Sequence, residues 1–243
     1  MKIRIAQLVV SRNIDLNKEK ILNEISQTEK DEWIVFPEAI LSGYYPSDNK
    51  YTEILNWSKI KEHLREIEDC VLQNQCHCLL GSATKSDSEW YNSTYFFSYK
   101  SESRRHDKKH LSRLDKIHFS SGKHVKNYTL GGIGFGMLAC RELIMPEEWI
   151  SLKKSGVKII FHLNNAIQPH DQLWKHLLIS RAIENSIFVI SVNNGEKPQK
   201  LGSYIIKPNG EIIAETQTQC EETICAEIDL NEVIVNLPER DDY

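Results

Sequence analysis

Gly134-Phe135-Gly136-Met137-Leu138-Ala139-Cys140-Arg141-Glu142-Leu143-Ile144-Met145-Pro146-Glu147-Glu148 decides how the rest of this chain is read. Small and aliphatic residues run to Ala139 as a buried strand would, the run stops at Cys140, and Pro146-Glu147-Glu148 has the form of a helix start. A thiol at such a strand-to-helix corner stands clear of the packed interior, with N–H groups of the turn free to face a ligand. The position suits a nucleophile. It also suits a small buried hydrophobe that closes a strand, as most free cysteines do.

The same pattern recurs on both sides of this stretch. Residues 2–10 and Trp33-Ile34-Val35-Phe36 read as buried strands, with residues 15–30 between them as an amphipathic helix carrying Leu16, Ile21, Leu22 and Ile25. The second strand runs into Pro37-Glu38-Ala39, where proline holds Phe36 extended and delivers Glu38 from a rigid strand end. Glu38 is either a solvated loop acid or a partnered buried one, and its apolar neighbours favour the latter. Ser42-Gly43-Tyr44-Tyr45-Pro46 is a turn whose aromatics either wall a pocket or pack. Residues 57–75 form a long helix, 78–83 a strand, and 92–99 an aromatic-rich strand after a polar hairpin loop at 86–90.

In the run Arg104-Arg105-His106-Asp107-Lys108-Lys109-His110-Leu111, alternation puts His106, Lys108 and His110 on one face. The run is either a solvated edge strand or a strand that points one lysine inward. Beyond Cys140, a short helix at 147–154, a strand at 157–163, a helix at 172–186 with Leu173, Trp174, Leu177, Leu178 and Ile183 inward, and a strand at 187–192 follow in turn. Pro208-Asn209-Gly210 makes a hairpin between strands at 203–206 and 211–214, residues 223–228 form a last strand, and residues 231–243 form a polar tail suited to packing on a partner subunit. Buried strands interleaved with amphipathic helices define a mixed-sheet α/β protein, expected as one domain over residues 1–243.

Composition bounds the function. The 243 residues are 40% hydrophobic and 26% charged with a net charge of −4, which gives no electrostatic basis for a nucleic-acid or membrane partner. Residues 1–6 enter a strand pattern at once and no apolar run approaches transmembrane length, so the expected location is cytoplasmic. Six cysteines lack disulfide-dense spacing, and Cys76-His77-Cys78 is a poor zinc half-site because no second ligand pair stands at metal spacing.

Phe36-Pro37-Glu38-Ala39, Lys108-Lys109-His110-Leu111 and Cys140-Arg141-Glu142 through Pro146-Glu147 resemble, in order and spacing, the signatures of the nitrilase superfamily of carbon-nitrogen hydrolases. Tyr91-Asn92-Ser93, Arg181-Ala182-Ile183-Glu184-Asn185 and Pro208-Asn209-Gly210 match as well, so the resemblance covers nearly the whole chain. It implies an α-β-β-α sandwich with two mixed β-sheets, assembly into a homodimer or higher homo-oligomer, and thiol chemistry on a small amide or nitrile without metal or organic cofactor. It places the nucleophile on Cys140, the general base on Glu38 and the lysine on Lys108, with hydrolysis of a linear amide to ammonia as the expected reaction and nitrile or N-carbamoyl hydrolysis, acyl transfer to an amine, or a non-catalytic binding role as the alternatives.

Three departures stand out. Where many members carry a second glutamate, the nearest acid is Asp115, either its replacement or unrelated to it. Arg141 follows the nucleophile where an aromatic is usual; pairing with Glu142 or another acid is the expected role, and recognition of a substrate carboxylate the alternative. His162-Leu163-Asn164-Asn165-Ala166 replaces a proline- or serine-containing segment; His162 reads as a satisfied core residue, while Asn164 or Asn165, with Tyr44, are candidates to orient substrate.

Overall fold

The computed structural model describes residues 1–166, 171–197 and 199–233. In chain order the first half contains β1 (Lys2–Gln7), α1 (Ile14–Ser26), β2 (Trp33–Val35), α2 (Tyr51–Ile54), α3 (Trp57–Asn74), β3 (His77–Ser86), β4 (Glu89–Ser98) and β5 (Ser101–Asp107). Then come α4 (Asp115–His118), β6 (Asn127–Leu130), β7 (Ile133–Ala139), a 3-10 turn (Cys140–Ile144), α5 (Pro146–Lys154) and β8 (Ile159–Leu163). The last are α6 (Asp171–Asn185), β9 (Phe188–Val192), β10 (Tyr204–Ile206), β11 (Ile212–Glu215) and β12 (Glu222–Glu227).

Two six-stranded sheets result, ordered β12-β1-β2-β3-β4-β5 and β11-β10-β9-β8-β7-β6. Each has a parallel centre, β1-β2-β3 in one and β7-β8-β9 in the other, and antiparallel flanks. The strands of both centres are covered on both faces, which is why they appear in the sequence as unbroken apolar runs. Period-two alternation then sorts side chains between two destinations. Ile3, Ile5, Trp33, Val35 and Leu79 meet Phe135, Met137, Phe161, Leu163 and Ile190 between the sheets. Trp33 stacks on Phe161 across that interface, centroids 5.2 Å apart and planes 7° from parallel.

The intervening residues face the helices. Ala6, Ile34, Cys78 and Leu80 pack under Ile21 and Ile25 of α1 and Ile60 and Ile67 of α3. Leu138, Ile160 and Val189 pack under Trp149 and Leu152 of α5 and Leu178 and Ala182 of α6. The product is an α-β-β-α sandwich of the α/β class.

Several expectations need correction. Leu16 and Leu173 are exposed, so neither helix buries as wide a stripe as its apolar residues suggest. Strand β6, too short and polar to stand out, forms a hairpin with β7 across Gly131 and Gly132, both in the left-handed region. Alternation separates His77 from Cys76 and Cys78: the thiols join the core under α1 and α3, while the imidazole lies against Trp33. The tail begins as a 3-10 turn at Leu230–Val233, and the rest of it, with its expected docking, lies outside the described residues.

The fold brings the carboxyl ends of both parallel centres to one edge, where β2 leads to Glu38, β7 to Cys140 and β8 to Asn164. The two sheets join there through Glu38 N–H, which donates to the Asn164 carbonyl at 3.4 Å. Strand β3 presses against the Glu38 segment: a Cβ on Gly81 would lie 2.1 Å from Ala39 N and 2.7 Å from Glu38 Cα. Gly81→Ala is therefore expected to lower stability by about 3 kcal/mol, with the melting midpoint falling by roughly 6–12 °C in calorimetry. An unchanged midpoint would contradict this close backbone packing.

Candidate active site

Proline at 37 and the left-handed conformation of Ala39 (φ 53°) turn the chain sharply around Glu38. The carboxylate is buried, and its Oε1 accepts from Asn92 Nδ2 and Lys108 Nζ, each at 2.8 Å. Lys108 follows the last residue of β5 and points inward, with no exposed side-chain surface. Its ammonium also donates to Asp115 Oδ2 at 2.8 Å. Asp115 in turn accepts from Tyr44 Oη at 2.7 Å and from Ser112 N–H at 2.9 Å. Asp115 thus stands directly on the lysine, at the same distance as Glu38.

The two acids sit in unequal surroundings. Burial works against the Asp115 carboxylate, but Lys108, Tyr44 and the Ser112 N–H outweigh it and hold its pKa at about 2. Burial also dominates at Glu38, where Lys108 compensates only in part and the Asp115 charge adds to the effect, so its pKa is raised. Glu38 is the easier of the two to protonate. Its second oxygen, Oε2, is buried and has no hydrogen-bond partner among the described residues. Burial disfavours the Lys108 ammonium, yet Glu38, Cys140 and Asp115 together keep it well above its usual pKa.

Cys140 begins the 3-10 turn after β7 with φ 44°, a left-handed conformation that costs a non-glycine residue about 1–2 kcal/mol. Its thiol is half-buried. Burial and then the Glu38 charge raise the thiol pKa against the pull of Lys108 and the Asn165 N–H, so the resting sulfur is protonated. His162 Nε2 lies 3.0 Å from the Cys140 carbonyl and Nδ1 3.0 Å from Ser191 Oγ. The carbonyl can only accept, so the Nε2–H tautomer is present and Nδ1 accepts a hydrogen bond from the Ser191 hydroxyl. Burial lowers the His162 pKa to about 4, consistent with a neutral ring that fixes the corner as a satisfied core residue.

Glu142 ties this corner to the lysine segment. Its fully buried carboxylate accepts from Ala139 N–H and Lys109 N–H, each at 2.8 Å, and lies 2.9 Å from His106 Nε2. Burial opposes the charge, but His106 and these N–H donors hold the Glu142 pKa at about 2. Arg141 points the other way. It is exposed and makes no ion pair among the described residues, which overturns the expected pairing with Glu142: that carboxylate is already occupied by His106.

A cavity of 410 Å³ opens over Cys140. Tyr44, Asn165 and Ser112 form its polar wall, Leu114, Ile144, Leu173, Trp174 and Ala166 its apolar wall, and Arg113 and Arg141 complete it. Of the sequence-derived candidates, Tyr44, Asn165 and Arg141 lie on this wall and Asn164 does not. Asn164 is fully buried, and neither atom of its side-chain amide has a partner among the described residues. Asn92, His106 and Glu142 escaped the sequence reading as site residues, because an asparagine inside a strand and a histidine in a basic run carry no local sign of the carboxylates they meet. His110, Glu147 and Glu148 have ligand atoms within 4.8 Å of one another and could gather a metal ion, but Glu148 Oε1 is already engaged by Lys109 and His110.

The chain matches the carbon-nitrogen hydrolase family over residues 6–235 and belongs to it. It is a hydrolase acting on carbon-nitrogen bonds other than peptide bonds. An (R)-stereoselective amidase of a Pseudomonas species is 26% identical over 88% of this chain and 80% of its own. The 2-oxoglutaramate amidase of Bacillus subtilis is 33% identical over 64% of this chain and 63% of its own, less than two thirds of that protein. The crystal structure of Saccharomyces cerevisiae Nit3, a member of branch 10 of the nitrilase superfamily, superposes with a TM-score of 0.84 at 20% identity, covering 100% of this chain and 97% of that one. Among the described residues no helix is long and apolar enough to cross a membrane.

The Glu142–His106 pair has a defined pH window. Glu142 is held below its ordinary 4.5, so its contribution to stability is complete above that value and is lost as pH falls toward about 2. For His106, burial opposes the charge but Glu142 outweighs it and raises the pKa above 6.5, so its contribution is complete below 6.5 and is lost as pH rises through the raised value. Glu142→Gln should therefore cost about 3–5 kcal/mol in denaturant unfolding at pH 5.5, and the gap from wild type should narrow toward pH 2 and above neutrality. A gap independent of pH would show that the pair is not ionic.

Proposed function

We propose that this chain is an amidase that cleaves a small linear amide through a cysteine thioester, with Cys140 as nucleophile, Glu38 as general base and Lys108 as the fixed positive charge. The observation that carries the reading is a fully buried lysine bridging two carboxylates, with Cys140 on the wall of the neighbouring cavity. A protonated thiol needs a base at the moment of attack, and Glu38, the more basic acid, has an oxygen free to take the proton. Asp115, itself held by Tyr44, also accepts from the ammonium.

In the first half-reaction the sulfur bonds to the amide carbon while its proton passes to Glu38. Glu38 returns that proton to the nitrogen, the carbon-nitrogen bond breaks, and ammonia leaves an acyl thioester on Cys140. In the second, Glu38 takes a proton from water, the hydroxide bonds to the acyl carbon, and the proton returns to sulfur as the carboxylic acid departs. Lys108 and the Arg141 backbone N–H stabilise the tetrahedral oxyanion of each half, a contribution of about 3–4 kcal/mol per donor at a preorganised site. Amide rather than nitrile cleavage is supported by the names of the Pseudomonas and Bacillus relatives. Residues 1–243 act as one catalytic domain in this reading, because Glu38 and Lys108 come from one sheet and Cys140 from the other.

Ammonia release from a panel of small amides is expected for the wild-type protein and is expected to fall at least about 10³-fold in Cys140→Ala and Glu38→Gln, both folded by circular dichroism. Lys108→Met should lose about 10²–10³-fold. The rising limb of kcat/KM against pH should lie above the ordinary glutamate value of 4.5, the direction in which burial moves Glu38. No ammonia from any amide, together with no alkylation mapped to Cys140 by mass spectrometry, would reject the reading.

A further inference from the structure

The cavity over Cys140 is asymmetric in charge. Arg113 and Arg141 both line it, both are exposed, and neither makes an ion pair with any described residue. Among the described residues no carboxylate lies on its wall, and Asp115 is turned inward against Lys108 and Tyr44. The adjoining 210 Å³ cavity, which shares Tyr44 and Asn165, is different: its Arg12 is neutralised by Asp48 at 3.1 Å, and Glu196 adds a further acid. That cavity therefore mixes acids with its cations, Lys197 among them, whereas the charged side chains lining the thiol's side of Tyr44 and Asn165 are both arginines.

Two unpaired guanidinium groups beside a partly desolvated cavity form an anion-selective end. A guanidinium fork matches a carboxylate, which accepts two parallel N–H donors, better than it matches any neutral acceptor. Between the thiol and the arginines the wall is apolar, with Leu114, Ile144 and Leu173 exposed at its edge and Trp174 behind them. Such a surface suits methylene groups and gives no hydrogen bonds to a polar chain.

We infer that Arg113 and Arg141 form a carboxylate-recognition site, so that the preferred substrate is a linear amide of a dicarboxylic acid: amide at Cys140, methylene chain along the apolar wall, free carboxylate at the two arginines. This inference rests on the amidase reading for its chemistry and adds the substrate class. The Arg141 side chain acts here in recognition, separately from its backbone N–H. Its turn geometry serves both ends, because Cys140 and Arg141 both line the cavity while Glu142 faces the interior.

The test compares matched amides of equal length: glutaric acid monoamide, pentanamide and 5-aminopentanamide. The monoamide is expected to have a kcat/KM at least tenfold above pentanamide, mostly through KM, with the aminoamide poorest. Raising salt from 0.05 to 0.5 M should shrink the ratio, since both arginines are exposed. Arg113→Gln and Arg141→Gln should each lower the monoamide-to-pentanamide ratio severalfold, and the double variant should bring it near one. Arg141→Lys should recover part of the ratio, because it keeps the charge and loses the fork. Calorimetric binding of the same compounds to Cys140→Ala separates the two claims. If no compound is hydrolysed but Cys140→Ala binds the monoamide more tightly than pentanamide, and Arg141→Gln removes the difference, recognition stands and the amidase reading falls. If ammonia is released from pentanamide and the monoamide equally well, or the arginine variants leave the ratio unchanged, carboxylate recognition is overturned while the amidase reading stands. Equal binding or none, without hydrolysis, overturns both.

Discussion

A lysine ammonium removed from water between two carboxylates is the constraint on which the rest of this site depends. Lys108 has no exposed side-chain surface, and burying an isolated ammonium is prohibitive, so the fold must bring acids to it. It does so from both directions, Glu38 from the end of β2 and Asp115 from the short helix that begins with it. Two acids and one base leave a negative charge to distribute. Asp115 takes hydrogen bonds on both oxygens, whereas Glu38 concentrates its partners on Oε1 and leaves Oε2 open. Environments that push two carboxyl groups apart separate a permanent charge from an exchangeable proton site, which is the division of labour that the proposed thioester chemistry requires.

The scaffold keeps these groups in register by buried polar contacts, because apolar packing alone does not set distances to a few tenths of an ångström. Glu142 is the clearest case. One carboxylate holds Ala139, the residue before the thiol, and Lys109, the residue after the ammonium, so movement of either segment breaks the same set of bonds. Trp149 Nε1 donates to the Glu142 carbonyl and His162 Nε2 to that of Cys140, so both ends of the left-handed corner are fixed from behind. The strain of Cys140 at φ 44° persists because its neighbours leave it no alternative.

What could be read from the chain beforehand follows from the range of the forces involved. Strands β2, β7, β8 and β9 were legible because burial on both faces leaves a continuous apolar run, and the corner at Cys140 because a strand pattern there meets Pro146 at a helix start. Glu38, Lys108 and Cys140 were visible through motif resemblance, and Asp115 as a possible substitute. Its contact with Lys108 was not, since two residues seven apart meet only through the path the intervening chain takes. Leu173 shows the opposite failure. Helical periodicity assigned it inward, but the sandwich needs only one stripe of α6, and Leu173 falls beyond it at the cavity edge.

Arg141 shows how one partnership determines the next. Charge alone joins Arg141 to Glu142, its neighbour in sequence. In the 3-10 turn adjacent side chains diverge, and Glu142 enters the interior, where His106 and backbone N–H groups satisfy it more completely than an exposed guanidinium could. With its nearest acid taken, Arg141 pairs with no acid among the described residues and carries its charge at the cavity wall. The buried bond that fixes the thiol corner is thus the same one that leaves a cation facing whatever enters above it, so the site's rigidity and the charge of its entrance have a common cause.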